Sequence, residues 1–230
     1  MNPRIGVFFL ALACLIAFVS YRNPHISAVL TWVFVGLVIV GLGYIKIGPS
    51  IYGKQQDGRL RIVNILVLLP FLLFTWLIWH IQRMLTREAC WNEVSPGLYV
   101  GRRAFLYELP STDVLIIDLT AEFPAPRSIR LLPGYRCLPT LDATVPLDIS
   151  QMQKLVSEAV NTPGRVYIHC ANGHGRSVTL AAVILLERRL ALNPLSAVTL
   201  IKSARPAIRL NSIQLNFLDG WSKYANISFK

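Results

Sequence analysis

The sequence predicts an α/β domain, a central and mostly parallel sheet flanked by helices, preceded by transmembrane α-helices. Three observations predict it. Apolar runs of near-membrane length crowd the first 81 residues, whereas the remainder has the mixed composition of an ordinary globular domain. In that remainder, short β-branched runs alternate with amphipathic stretches. One such run, Val166-Tyr167-Ile168, passes straight into a Gly-containing loop and a helix, the arrangement that opens a crevice at the carboxyl end of a sheet.

The N-terminal runs span residues 5–21, 26–45 and 62–81. Each approaches the ~20 residues that cross a hydrocarbon core. The first two are joined only by Arg22-Asn23-Pro24-His25, a tight helical hairpin. Segment 5–21 also has the charged start of a signal peptide in Arg4, but no small-x-small site closes it, so it reads as a retained helix. Pro70 inside the third run is tolerable in a membrane helix. Asn64, Trp76, Trp79 and His80 read as interfacial residues. Basic residues on the side of the N-terminus lean toward an external C-terminal domain, while a working thiol leans toward the reducing cytoplasm; the chemistry carries more weight, and the cytoplasmic face is expected.

Residues 82–92 read as a linker and 93–230 as one domain. Residues 97–102 predict a strand and residues 113–120 a central one, because its apolar run is nearly continuous. Residues 121–134 are Pro-rich loop, and 135–140 a short strand. A helix follows over 148–160: Asp148 and Gln151 have capping-box spacing, ahead of an apolar stripe through Met152, Leu155, Val156, Ala159 and Val160. After the Tyr167 strand come helices beginning at Ser177, Pro194 and Asn211, the last with Asn211 and Gln214 again at capping spacing.

The formal net charge is +11, and both parts of the chain are basic. That suits an anionic membrane surface or a phosphate-bearing ligand. No Lys/Arg-rich helix or aromatic-interleaved basic ribbon argues for nucleic acid. The four cysteines, Cys14, Cys90, Cys137 and Cys170, form no CxxC pair, which argues against a zinc site or a disulfide framework. No metal and no cofactor is expected.

The stretch His169-Cys170-Ala171-Asn172-Gly173-His174-Gly175-Arg176-Ser177 places a thiol at the start of a strand-to-helix loop and a guanidinium at its end. Metal-free cleavage of a phosphate ester needs a nucleophile ionised near neutrality. A helix N-terminus and a nearby cation lower a thiol pKa from ~8.5 by several units. It also needs donors for the oxygens of the transferring group. Ala171, Asn172, Gly173, His174, Gly175 and Arg176 offer backbone amides, and Arg176 adds a planar fork. Ser177 can donate to the sulfur. Six residues beyond Cys14, Cys90 and Cys137 stand Ser20, Pro96 and Ala143, so Cys170 alone has the spacing and its context.

This stretch resembles the signature loop of the cysteine-dependent protein tyrosine phosphatase superfamily, in its dual-specificity branch. The likeness extends from Glu93 to Trp221: EVSPGLYVGR resembles the opening strand, LDATVPLD (residues 141–148) the acid loop, and RPAIRLNSIQLNFL (residues 205–218) the closing segment. The resemblance implies a phosphocysteine intermediate, with Cys170 as nucleophile, Arg176 as phosphoryl binder and His169 as a tuner of the thiol. Asp142 and Asp148 are the candidate proton donors. Asp148 already has a capping role, whereas Asp142 matches the family's acid position. Asp118 reads as a strand-end partner, His174 as a loop-tip residue, and Arg205, Arg209 and Asn211 as either pocket border or solvated face. Lipid-directed members often carry Lys within the signature loop, where Ala171 and His174 stand here.

The expected protein is therefore a membrane-anchored phosphatase acting on a phosphoprotein or a phospholipid such as phosphatidylglycerophosphate. An inactive relative that grips phosphate at the membrane is the alternative, and a thiol redox or sulfur-transfer protein a third. The sequence leaves the oligomeric state open.

Overall fold

In the computed structural model, which describes residues 1–228, the chain forms two compact units. The first comprises residues 1–55, 59–87 and 121–124. The second holds residues 56–58, 88–120 and 125 onward.

The first unit is built on α1 (Pro3–Arg22), α2 (Ser27–Leu42) and α3 (Ile62–Leu85). A π-helical turn, Gly43–Ile47, extends α2. Three helical stretches, Pro3–Arg22, Pro24–Ile47 and Ile62–Leu85, are long and apolar enough to cross a membrane. Helix α3 runs past Ile81 to Leu85, because Gln82, Arg83 and Met84 are competent helix formers and nothing breaks it before Thr86. Small residues bring α1 and α2 together: a Cβ on Gly6 would lie 2.7 Å from the Gly41 carbonyl oxygen.

Pro70 has a consequence that its tolerance in membrane helices does not convey. It lacks an N–H, so the carbonyl of Leu66, four residues earlier, loses its intrahelical donor. The Trp32 indole of α2 supplies one, donating to Leu66 O at 3.0 Å and Val67 O at 3.1 Å. Asn64 donates to Ile51 O at 2.8 Å. Trp79 is 3% exposed and packs against Phe123, and the Trp76 indole donates to Glu122 O, so both aromatics have partners within the unit.

The second unit is a five-stranded sheet in the order β1-β2-β5-β3-β4. Its strands are β1 (Trp91–Ser95), β2 (Leu98–Arg102), β3 (Val114–Thr120), β4 (Tyr135–Thr140) and β5 (Arg165–Cys170). Trp91 and Asn92, read as linker in the sequence, open β1. They pair antiparallel with Gly101 and Val100 of β2, and all other pairings are parallel. Parallel strands point their carboxyl ends one way, so Thr120, Thr140 and Cys170 finish on the same edge.

Alternation along the strands sorts the core. Leu115, Ile117 and Leu119 of β3, with Val166 and Ile168 of β5, face one cluster. Val114, Ile116, Tyr135 and Tyr167 face the other. Four helices cover the first face: α5 (Ile149–Asn161), α6 (Arg176–Glu187), α7 (Pro194–Ala204) and α8 (Ser212–Ser228), while the short α4 (Arg127–Arg130) lies in the Pro-rich loop. Helix α6 is buried along its first ten residues, Arg176 to Leu185, as the central helix of the layer. Asp148 caps α5 through Gln151 N at 2.8 Å. Asn211 and Gln214 exchange reciprocal side-chain bonds at the start of α8.

Candidate active site

Strand β5 ends at Cys170 and α6 begins at Arg176, so the five residues between must turn the chain through a tight loop. Gly173 makes the turn possible. Its φ is +77°, and a Cβ there would lie 2.4 Å from the carbonyl carbon of Gly101.

The Cys170 thiol is 2% exposed at the amino end of α6. It accepts the Gly173 amide at 3.2 Å, and the Ser177 hydroxyl lies 3.5 Å away. On the reverse side, Arg205 donates from Nε to Gly173 O at 3.0 Å and from Nη2 to Asn172 O at 3.2 Å. A trans peptide points its N–H opposite to its carbonyl. Two carbonyls turned toward Arg205 therefore turn the amides of Gly173 and His174 away from it, and that of Gly173 meets the sulfur.

Arg176 is 2% exposed, and the carboxyl ends of the strands fix its guanidinium. Nη1 donates to Thr140 O at 2.8 Å, at the end of β4, and reaches Leu119 O of β3 at 3.5 Å. Nη2 lies 3.2 Å from an Asp142 carboxylate oxygen. Asp142 itself is 71% exposed, on the loop after β4. That loop is pinned at three points: the Thr144 hydroxyl donates to Leu141 O, Asn211 to Ala143 O at 2.9 Å, and Gln214 to Thr144 O at 3.2 Å. Asp142, Ala143, Cys170, Asn172, His174, Gly175, Arg209, Asn211 and Gln214 line one cavity of about 230 Å³.

A buried polar group supports the loop from within the sheet. Asp118 accepts the Thr120 amide at 2.8 Å, the Thr120 hydroxyl at 2.7 Å and the Tyr135 hydroxyl at 2.8 Å. The His169 ring lies 3.8 Å from Asp118 and 3.4 Å from the Cys170 carbonyl oxygen. Burial first, and then the negative charge of Asp118, push the Tyr135 phenol far above its ordinary pKa. Burial likewise raises Tyr167, whose hydroxyl donates to Arg102 O.

No protein-family model and no curated protein sequence matches this chain. Solved structures do. PTPMT1 in complex with PI(5)P matches with a TM-score of 0.52 at 20% identity, over 61% of this chain and 99% of that one. A mouse putative dual specificity phosphatase, complexed with zinc tungstate, matches at 0.51 and 20%, covering 63% and 93%. The second unit has the dual-specificity phosphatase fold. A human tyrosine phosphatase-like serine/threonine/tyrosine-interacting protein matches equally, at 0.51 and 19%, over 62% of this chain and all of that one.

Within this dual-specificity fold, the residues singled out in the sequence separate by position. Cys170, Arg176, Asp142 and the loop from Ala171 to Gly175 converge, with Ser177 beside the sulfur and His169 behind the loop. Asp148 stays at the start of α5 and does not line the cavity. Arg209 and Asn211 border the cavity. Arg205 does neither of the things the sequence suggested: at 2% exposure it is a buried brace behind the loop. His174 is more than a loop tip, since the residue lines the cavity and its ring is held by Glu88 at 2.7 Å. Sequence reasoning missed Glu88, because no motif spacing links residue 88 to residue 174.

Proposed function

We propose that this chain is a membrane-anchored phosphatase that hydrolyses phosphate monoesters through a phosphocysteine intermediate. The observation that carries the reading is the Cys170 sulfur accepting the Gly173 amide in a cavity that Asp142 also lines, with the buried Arg176 guanidinium 3.2 Å from that Asp142 carboxylate.

In this mechanism the Cys170 thiolate attacks phosphorus and an S–P bond forms as the P–O bond to the leaving alcohol breaks. Asp142 passes its proton to the departing oxygen. The loop amides and the Arg176 fork hold the three non-bridging oxygens, where charge resides in the transition state. The exposed Asp142 carboxyl swings off the fixed Arg176 fork as phosphate takes its place there, which leaves that carboxyl available for proton transfer. Water then attacks phosphorus, the S–P bond breaks, and Asp142 takes the water's proton. Ser177 donates a hydrogen bond to the leaving sulfur, returning thiolate and inorganic phosphate.

The substrate class this reading favours is a phospholipid monoester. Three membrane-competent helices precede the domain, and only Thr86 to Cys90 lie between α3 and β1. A connection of that length limits how far the domain can reach from a bilayer those helices would span. Arg209, exposed at the cavity's border, adds a cation suited to a headgroup's remaining anionic charge. PTPMT1, which shares the fold, is described with a phosphoinositide. A cytoplasmic placement follows from the need to keep Cys170 reduced.

The test uses full-length protein in detergent, with phosphate release measured from phosphatidylglycerophosphate, phosphoinositides, phosphotyrosine peptide and p-nitrophenyl phosphate. Turnover abolished by Cys170→Ser, with a lipid as best substrate, supports the reading. Preference for the peptide overturns the lipid part. No turnover of any ester, with phosphate binding intact, favours a binding module like the phosphatase-like interacting protein.

A further inference from the structure

Arg205 is a buried cation, and a buried charge is stable only where an opposite charge and hydrogen-bond acceptors meet it. Four of its five acceptors are neutral: the carbonyls of Asn172, Gly173 and Ala89, and the side-chain oxygen of Asn92 at 2.8 Å. The fifth is the Glu88 carboxylate at 3.4 Å. The same carboxylate oxygen takes the His174 ring nitrogen at 2.7 Å, and the Glu88 carbonyl accepts Arg102 Nη1 at 2.9 Å. Glu88 thus grips the signature loop at two places, directly through the His174 ring and indirectly through the guanidinium that orients two of its peptides. It stands three residues beyond the end of α3.

We propose that Glu88 is a positioning residue for the reaction, fixing His174 at the cavity wall and Arg205 behind the loop so that the amide ring keeps its inward set. This role rests on the phosphatase reading above. It makes the stretch that leaves the last apolar helix part of the active-site support. Amides turned away from the phosphoryl oxygens weaken transition-state binding more than substrate binding, so the loss of Glu88 appears in kcat.

The experiment compares wild type, Glu88→Gln and Glu88→Asp as full-length protein in detergent, with rates expressed per active site titrated by the phosphocysteine burst. Glu88→Gln keeps the side chain's size and removes its charge. It is expected to lower kcat of p-nitrophenyl phosphate hydrolysis by roughly tenfold, the scale of one charge-assisted hydrogen bond. KM should move much less, and the inhibition constant of vanadate should rise in step with the loss in kcat/KM. Glu88→Asp, which keeps the charge beside Arg205, should recover most of the loss. If Glu88→Gln does not accumulate as folded protein, His174→Asn, which alters the loop end of the same contact, is read by the same three quantities. Unchanged kcat and vanadate inhibition per site, or a deficit confined to the amount of folded protein, overturns the role. Wild type that neither turns over the ester nor binds vanadate overturns the proposed function as well, whereas active wild type with an equal Glu88→Gln variant overturns only the role of Glu88.

Discussion

The Arg176 guanidinium and the Asp142 carboxylate lie 3.2 Å apart, joining a side chain that is 1% exposed to one that is 71% exposed. The buried partner is fixed by carbonyls at the ends of two strands, so the exposed one is the member able to move. In the proposed mechanism these two side chains are the proton donor and the phosphoryl binder.

Asp142→Asn tests that relationship through the leaving group. For an alkyl phosphate, whose alcohol needs a proton to depart, kcat should fall by about 10²–10⁴-fold, the usual range for general acid catalysis. For p-nitrophenyl phosphate, whose phenolate leaves unaided, the loss should be much smaller. Equal losses on both esters would assign Asp142 to binding.

Arg176→Lys keeps one positive charge and removes the planar fork. It should lower kcat/KM by about 10²-fold or more, since two charge-assisted hydrogen bonds are no longer made together. The bond to Thr140 O goes as well, so the thermal midpoint should drop measurably. Steady-state kinetics and a melting curve on the same preparation read both effects.

Gly173→Ala should lose both stability and turnover. The substitution forces a residue with a Cβ into positive φ, at a cost of about 1–2 kcal/mol, and drives that carbon into the Gly101 backbone. Phosphate release and the melting midpoint should fall together, in contrast to Asp142→Asn, where only the rate falls.

The alkaline limb of stability should carry a signature of Tyr135. Its pKa is raised in the folded state, by burial and by Asp118. Below about pH 10, the ordinary value, both states hold the proton and nothing is lost. Above it the unfolded chain releases a proton that the folded chain retains, so stability falls by about 1.4 kcal/mol per pH unit for that group. Tyr135→Phe should flatten the fall by one proton's worth, read by denaturant unfolding between pH 9 and about 11 as the difference from wild type, in which the lysines and other tyrosines that titrate there cancel.

In the first unit, Trp32→Phe keeps an aromatic ring and removes the indole donor. The carbonyl of Leu66, already deprived of its partner by Pro70, would then stand unsatisfied in apolar surroundings, at a cost of about 1–3 kcal/mol. Pro70→Ala restores the intrahelical bond and should make Trp32→Phe nearly silent. A thermal melt of the four combinations in detergent measures the coupling.

The sheet, the helices and the loop were legible because each depends on local pattern. The β3 run is apolar at nearly every position, and burial on both faces is what the sheet shows. The cap at Asp148 and the box at Asn211–Gln214 follow from short spacings that reappear as hydrogen bonds. Cys170 and Arg176 were legible for the same reason, being six residues apart. What escaped depends on long-range encounters that spacing does not encode. Glu88 meets His174 across 86 residues, and Trp32 meets Leu66 across 34. Arg205 was misplaced because a basic residue beside Pro206 has the composition of a surface turn, and only the tertiary fold supplies the carbonyls that let it be buried.

The brace behind the loop grips oxygen atoms that every amino acid carries. Arg205 meets the Asn172 and Gly173 carbonyls, so replacing the side chain at position 172 does not remove the hydrogen bond made there. Such a scaffold separates the conservation of shape from the conservation of lettering. Position 172 can therefore change what lines the cavity while the backbone hydrogen bond that holds the loop stays in place.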